Sequence, residues 1–433
     1  MTAPKFLIKT WGCQMNVLDS DKLAGTLLSL GYEPTENERD AEVILLNTCS
    51  VREGPENKVF TELGRLKALK RHRLKVLGVV GCVAQQEKAL VFERAPFVDL
   101  VMGPRGMLQL PELLEQARYQ KALETEFRDD AILYPDQKIH RSHPVKAFVT
   151  VMEGCNKRCA FCIVPSTRGA EIYRPLGSVL DEAKRAVDAG YMEIELLGQN
   201  VNCWKEGKKG FADLLAAVSD VEGVRRLRFT TSHPRHFPLA AADLMAEREN
   251  LCPYLHLPLQ SGSSRILKAM RRQYDKAWYL GLVGAIRARV PEIALSTDVI
   301  VGFPGETEED FEETLGVVRA AEYDTMFSFR YSLRPGTPAT GLELVPEEVS
   351  RERHQRLLDV QAPLQARRFK ASVGKTLEVL VEGRSKRGTE WMGRSRDNKV
   401  VNFTAPREPR VNRFVQVAIT RAGINSLTGE AAS

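Results

Sequence analysis

No apolar run in this chain is long enough to cross a bilayer. The longest, such as LKVLGVVGCVA at 74–84, fall well short of the ~20 residues a spanning helix needs. The opening text MTAPKFLIKTWGC has no apolar segment leading to a small-residue cleavage site, so no secretory leader is expected. An excess of one charge is also missing: 62 Lys and Arg against 56 Asp and Glu leave a net +6. A hydrophobic content of 43% with 27% charged residues is that of ordinary globular domains. A cytoplasmic protein without membrane association is the expectation. Cysteine is sparse, eight in 433 residues. In a reducing compartment such cysteines serve as ligands or buried thiols sooner than as disulfides. The length implies two or three domains.

Three segments emerge, at 1–124, 144–370 and 372–433. The first alternates strand-like runs, KFLIKT (5–10), VILLN (43–47) and KVLGVV (75–80), with helical patterns. The first helix is expected from about Asp19 to Leu30, with Asp19 and Ser20 as its N-caps. Such alternation predicts a parallel α/β domain. A charged link follows at about 125–143. The second segment offers six strands: KAFVTV (146–151), IELLG (194–198), LRFTTS (227–232), YLHLPL (254–259), ALSTDVIVG (294–302) and MFSFRYS (326–332). Repeated βα units of this kind make either an open barrel or a doubly wound sheet. The third segment has short alternating runs broken by glycine, the pattern of a small β-barrel. It holds eleven Lys or Arg against six Asp or Glu, which favours a polyanionic partner. Arg384, Lys386, Arg387, Arg394, Arg396 and Lys399, interleaved with Trp391 and Phe403, suit single-stranded RNA. Core aromatics beneath a solvated charged surface are the competing reading.

In parallel α/β folds the chemistry gathers where strands end. Here those ends carry Glu153 and Gly154, then Gln199 and Asn200, Ser232, His256 with Gln260, and Asp298 with the turn GFPGE. After the first of these strands comes CNKRCAFC, residues 155–162, with no fourth cysteine nearby. A structural zinc site takes four ligands. Three thiolates on a cubic iron–sulfur cluster instead leave one iron open to a small molecule. A zinc site completed from a distance is the alternative; the C-x3-C-x2-C spacing and Phe161 before the last cysteine argue against it. Cys13, Cys49 and Cys82 each follow a predicted strand of the first segment. In a parallel sheet those loops share one edge, so a second three-thiolate cluster is expected. Small apolar core positions are the competing reading.

The C-x3-C-x-aromatic-C text after the first barrel strand resembles the radical S-adenosylmethionine enzymes. The resemblance implies Cys155, Cys159 and Cys162 as ligands of a 4Fe-4S cluster. The cofactor's amino and carboxylate groups would chelate the fourth iron, and its one-electron cleavage would yield a 5'-deoxyadenosyl radical. Nearly the whole chain further resembles the methylthiotransferases: GCQMN, NTCSVRE, GCVAQ, EGCNKRCAFCIVPSTRG, LLGQNVN, HLPLQSGSSRILKAMRR, STDVIVGFPGETEEDF and YSLRPGTPA. That family implies an N-terminal domain with an auxiliary 4Fe-4S cluster on Cys13, Cys49 and Cys82, a central partial (βα)6 barrel, and a terminal TRAM domain that binds RNA.

GCQMN, PSTRG and LLGQNVN most resemble the branch that methylthiolates C2 of N6-isopentenyladenosine at position 37 of tRNA. The same chemistry on threonylcarbamoyladenosine tRNA or on a ribosomal protein side chain is one alternative; a non-catalytic zinc- and RNA-binding protein is another. The expected partners are a tRNA anticodon stem-loop and an electron donor protein, with the chain a monomer. S-adenosylmethionine would be contacted by Phe161, Gln199, Asn200, Ser232, His256, Gln260 and Asp298, each of which could instead be a structural hydrogen-bonder. Gly12–Asn16 and Gly198–Asn202 are expected to face the gap between the clusters. Asn16 and Asn47 would orient the auxiliary ligands, and Arg168 and Arg174 would meet carboxylate or phosphate. Cys203 and Cys252 read as incidental thiols.

Overall fold

The computed structural model describes residues 3–50, 53–71, 73–135, 138–386 and 388–432. Arg387, one of the basic residues expected to meet RNA, lies outside them. The first domain contains β1 Lys5–Trp11, β2 Glu33–Pro34, β3 Val43–Thr48, β4 Val76–Gly81, β5 Leu100–Met102 and β6 Ala122–Glu124. They form one sheet in the order β2-β1-β3-β4-β5-β6, parallel throughout. Every residue of β3 and β4 is buried, because helices cover both faces of such a sheet. The first helix runs Gln14–Ser29 and begins directly after Cys13, not at Asp19. Asn16 makes this possible: its Oδ1 accepts from the Cys13 backbone N–H at 3.3 Å. Asp19 and Ser20 are therefore interior helix positions, freed for other work. The link expected at 125–143 packs along this helix, with Tyr134 Oη donating to Lys22 O at 2.6 Å and His140 N–H to Asp21 O at 3.1 Å.

The second domain contains β7 Lys146–Thr150, β8 Met152–Glu153, β9 Ile172–Tyr173, β10 Glu193–Leu197, β11 Arg226–Phe229, β12 Tyr254–His256, β13 Ala294–Val301 and β14 Thr325–Arg330. β7, β10 and β11 form one parallel sheet and β12, β13 and β14 another. A parallel bridge between Leu227 and Leu251 links the two. The strands thus follow each other in chain order, which makes an open six-stranded barrel and excludes the doubly wound arrangement. A helix of Glu347–Lys370 then leads to a closed barrel of β15 Thr376–Arg384, β16 Trp391–Ser395, β17 Val400–Thr404, β18 Phe414–Ala422 and β19 Leu427–Ala431.

At the start of the open barrel the inward side chains are charged. Register places Glu193 level with Lys146 and Arg226, and Glu195 level with Arg228. Lys146 Nζ lies 3.1 Å from Glu193 and 3.2 Å from Glu195, and Arg228 Nε lies 3.1 Å from Glu193. The C-terminal barrel closes this end. Arg226 donates to the carbonyls of Arg394 and Glu378, both at 2.8 Å, and Arg228 to those of Arg396 (2.8 Å) and Ser395 (2.9 Å). Arg396 in turn bonds Glu249 O, and Lys399 pairs with Asp397 and Asp324. Arg396 and Lys399 are therefore docking residues, not the free RNA-facing cations expected from the sequence. Phe403, fully buried, belongs to the small barrel's core. Arg384 remains half exposed, stacked 3.9 Å from the Trp391 ring centroid.

Candidate active site

β1, β3 and β4 end level: Trp11 pairs with Thr48, and Thr48 with Gly81. The next residues on β3 and β4 are Cys49 and Cys82, and Gly12 then Cys13 follow β1. Residues distant in sequence thereby reach one sheet edge. Gly12 (φ +151°) and Gly81 (φ +87°) are required there. A Cβ on Gly12 would lie 2.4 Å from Asn16 Oδ1 and 2.7 Å from Cys49 Cβ, and one on Gly81 would lie 2.4 Å from Asn47 Oδ1. The two asparagines are fully buried and tied together, Asn16 Nδ2 donating to Asn47 Oδ1 at 3.2 Å and Asn47 Nδ2 to Asn16 O at 2.8 Å. Cys13 Sγ donates to Asn16 Oδ1 at 3.4 Å. A hydrogen bond from Cys49 holds the Cys13 thiol down to about 6, helped by the Arg168 guanidinium. Burial pushes Cys82 up.

The other triplet lies in the loop after β7. Gly154 N–H donates to Gln199 Oε1 at 2.5 Å, Cys155 N–H to Gly169 O at 3.0 Å, and Cys162 N–H to Cys159 O at 3.1 Å. Burial pushes the Cys155 thiol up to about 11 and Cys162 up to about 12. Neutral thiols of this kind become thiolates only when a metal supplies the compensating positive charge.

The two triplets are neighbours. The short helix Val164–Arg168, just past Cys162, packs on the helix Cys82–Glu87. Arg168, almost fully buried, reaches across to Asp19 Oδ2 at 2.5 Å. Its charge acts on both Cys13 and Cys82. Beside it Lys22 Nζ stands 3.7 Å from the buried Glu153, and Arg105 donates to Ala170 O at 2.5 Å. Asp19, Lys22, Arg105 and Glu153 were not singled out as partners in this contact. No local pattern could have revealed them, since each meets its partner across the domain boundary. Arg174 instead pairs with Glu182 inside the barrel domain.

A cavity of about 710 Å³ opens beside Cys162. Phe161, Gln260 and Asp298 line it, with Tyr331 and Arg334, a size typical of small-molecule sites. Ser350 and His354 of the long helix Glu347–Lys370 also line it, a contribution the sequence did not signal. Gly302 N–H donates to Glu306 Oε2 at 2.7 Å, and Arg353 Nη1 holds Glu306 at 3.0 Å, so the GFPGE turn is fixed from the same helix. Gln260 has φ +69° and Thr231 φ +73°, backbone conformations that side-chain-bearing residues adopt at some cost.

Gln199, Asn200, Ser232 and His256 do not line this cavity. Gln199 is occupied by the loop that carries Cys155, Cys159 and Cys162. His256 Nδ1 is 2.8 Å from Ser296 Oγ, and its Nε2 3.3 Å from Asp298 Oδ2. Asn202 clasps the His233 backbone, both bonds at 2.9 Å. Most of the GQN text is thus spent fastening loops. Asn200 Oδ1 and Ser232 Oγ, by contrast, are buried without a hydrogen-bond partner among the described residues, as groups that await a polar ligand would be. Cys203 accepts from Asn200 Nδ2 at 2.8 Å, and Cys252 is buried.

Among the described residues no three His, Cys, Asp or Glu side chains come close enough to hold one metal ion. A cubane asks for a different arrangement, three soft thiolates each reaching its own iron corner. An all-thiol donor set, three cysteines at one sheet edge and three in the adjoining loop, fits that demand.

Three family models match the chain: an uncharacterized protein family, UPF0004, over residues 5–103, the Radical SAM superfamily over 149–318 and the TRAM domain over 370–432. Among solved structures, the fold is similar to the radical S-adenosylmethionine methyltransferase TsrM from Kitasatospora setae. The TM-score is 0.57 at 16% identity, covering 78% of this chain and 77% of that one. Among curated proteins, the tRNA-2-methylthio-N(6)-dimethylallyladenosine synthase of Carboxydothermus hydrogenoformans is 44% identical over 99% of both chains. That of Koribacter versatilis is 43% identical over 98% of this chain and 97% of its own length. With identity of this order sustained from the first cysteine edge to the terminal barrel, the chain belongs to the tRNA-2-methylthio-N(6)-dimethylallyladenosine synthase family of radical S-adenosylmethionine enzymes.

Proposed function

We propose that the chain methylthiolates C2 of N6-isopentenyladenosine at position 37 of tRNA, within an anticodon stem-loop. The observation that carries this reading is the adjacency of two three-thiol edges, joined through the helix contact and Arg168. Cys155, Cys159 and Cys162 would hold the 4Fe-4S cluster that binds S-adenosylmethionine, and Cys13, Cys49 and Cys82 an auxiliary 4Fe-4S cluster. Phe161, Gln260 and Asp298 would contact S-adenosylmethionine, with Asn200 and Ser232 offering their open oxygens. Gln199 and His256 would act through the groups they position. The working division is 1–124 for the auxiliary-cluster domain, 144–370 for the radical core and 372–433 for the RNA-binding barrel. A cytoplasmic monomer served by an electron donor protein completes the reading; no helix among the described residues is long and apolar enough to cross a membrane.

When bound, these groups supply a carbon-centred radical, a methyl group and a sulfur atom, chemistry that no side chain offers at a non-acidic adenine C–H. The chain's own residues supply placement. The level ends of β1, β3 and β4 fix one thiol set, and Gln199 and Gly169 fix the loop of the other. The Val164–Arg168 helix packs on the Cys82–Glu87 helix, which would hold the sulfur source close to the target carbon. Buried Asp19, Arg168, Lys22 and Glu153 seal the seam between domains. Arg384 on Trp391, together with exposed Lys386, forms a stacking and phosphate-binding face on the small barrel.

The substrate is the most exposed element. Reconstituted protein should convert isopentenyladenosine in an anticodon stem-loop to its 2-methylthio form. A parallel stem-loop bearing threonylcarbamoyladenosine should stay essentially unmodified. Nucleoside mass spectrometry of the two reactions decides, and preferential product from the threonylcarbamoyl substrate would move the assignment to that alternative.

A further inference from the structure

Behind the Cys155–Cys162 loop lies a buried positive charge that no carboxylate among the described residues balances. Arg272 is 5% exposed. Its guanidinium donates to Tyr274 Oη at 3.0 Å, to Pro258 O at 3.4 Å and to Cys159 Sγ at 3.4 Å; among the described residues no Asp or Glu pairs with it. Several other buried arginines are matched by a carboxylate: Arg168 by Asp19, Arg174 by Glu182, Arg228 by Glu193 and Arg353 by Glu306. An unbalanced buried cation is costly, so an anion belongs beside it.

The backbone shows how firmly the residue is held. Arg271 (φ +59°) and Gln273 (φ +63°) flank it in the left-handed region, which non-glycine residues avoid unless the surroundings insist. Ala160 N–H donates to Met270 O at 3.0 Å, which pins this turn to the loop that carries Cys159. The arrangement presents one N–H to a sulfur and the others to neutral oxygens, so among the described residues the charge meets no opposite charge. A cluster held by three thiolates is an anion, and it gains a further negative charge on reduction. Both that charge and hydrogen bonds to its sulfurs set its reduction potential.

We propose that Arg272 is a positioning residue which balances the charge of the cluster on Cys155, Cys159 and Cys162 from behind Cys159 and eases its reduction. This rests on the assignment of those three ligands made above. The effect is electrostatic and acts through Cys159 without contact with substrate.

The test uses a full-length parent with Cys13, Cys49 and Cys82 replaced by Ala, which carries one cluster only. Arg272→Gln and Arg272→Lys are compared with it after anaerobic reconstitution, by iron content and by a redox titration followed by electron paramagnetic resonance, without S-adenosylmethionine. The expected result is a more negative potential for Arg272→Gln, with Arg272→Lys between it and the parent, at equal iron content. A folded Arg272→Gln protein that loads no iron, beside an Arg272→Lys protein that does, equally supports the counter-charge. Coincident potentials at full loading would overturn the proposal, as would equal loss of iron in both variants, which would make Arg272 a purely structural support. A parent that loads no iron would overturn the ligand assignment itself and the proposal with it.

Discussion

Replacing Cys155, Cys159 and Cys162 with Ala should abolish reductive cleavage of S-adenosylmethionine, while replacing Cys13, Cys49 and Cys82 should leave cleavage intact and stop sulfur insertion. The reason is spatial. The first set lies in the loop after β7, beside the cavity lined by Phe161, Gln260 and Asp298. The second lies on the edge of another sheet, across the domain seam that the Val164–Arg168 helix helps to form. Loss of the second would therefore leave the proposed cofactor site untouched. The full protein should hold about eight iron and eight sulfide, and each triple variant about four of each, as one cubane per triplet requires. Methionine and 5'-deoxyadenosine release under anaerobic reduction measures cleavage, and nucleoside mass spectrometry measures insertion. A Cys13, Cys49 and Cys82 variant that is folded and holds one cluster, yet cannot cleave the cofactor, would refute this division of labour.

Arg228→Met should destabilise the protein by about 3–5 kcal/mol, the range for breaking a buried ion pair. Glu193 is fully buried and shares its charge among Lys146, Arg226 and Arg228. Removing Arg228 strips this carboxylate of one cation and leaves the carbonyls of Ser395 and Arg396 without their donor. The denaturation midpoint should fall, and protease should release the C-terminal barrel at the junction near Lys370. Arg384→Ala is the informative contrast. Arg384 is half exposed and pairs with an exposed Glu408, so stability should change by less than about 1 kcal/mol. Affinity for tRNA should weaken, with a shallower salt dependence, because phosphate contacts release counterions. If Arg228→Met proved as stable as the parent, the small barrel would be a tethered appendage and not the floor of the larger one.

The same contrast shows where reading the sequence succeeds. Cysteine spacing and strand order are local facts. C-x3-C-x2-C after a strand names a loop, and three strands each followed by cysteine name an edge, because parallel pairing brings strand ends level. The βα repeat likewise implies a barrel or a wound sheet, but only the bridge between Leu227 and Leu251 distinguishes them. Charge in the last segment was legible as a total and illegible as a surface. Arg396 and Lys399 look the same in sequence as Arg384, yet two are consumed in docking and one is displayed.

The sequence by itself thus determined the two thiol sets, the strand-by-strand layout that carries them and the family to which the whole text is similar. The tertiary structure alone decided what lies between and behind those sets: Asp19 against Arg168 across the seam, Glu193 against three cations beneath the barrel, and Arg272 behind Cys159. The physical reason is that a ligand motif acts through spacing along the chain, whereas a buried charge acts through whatever opposite charge the fold brings to it. That partner stands 149 residues away in the pairing of Arg168 with Asp19, and no local pattern records it.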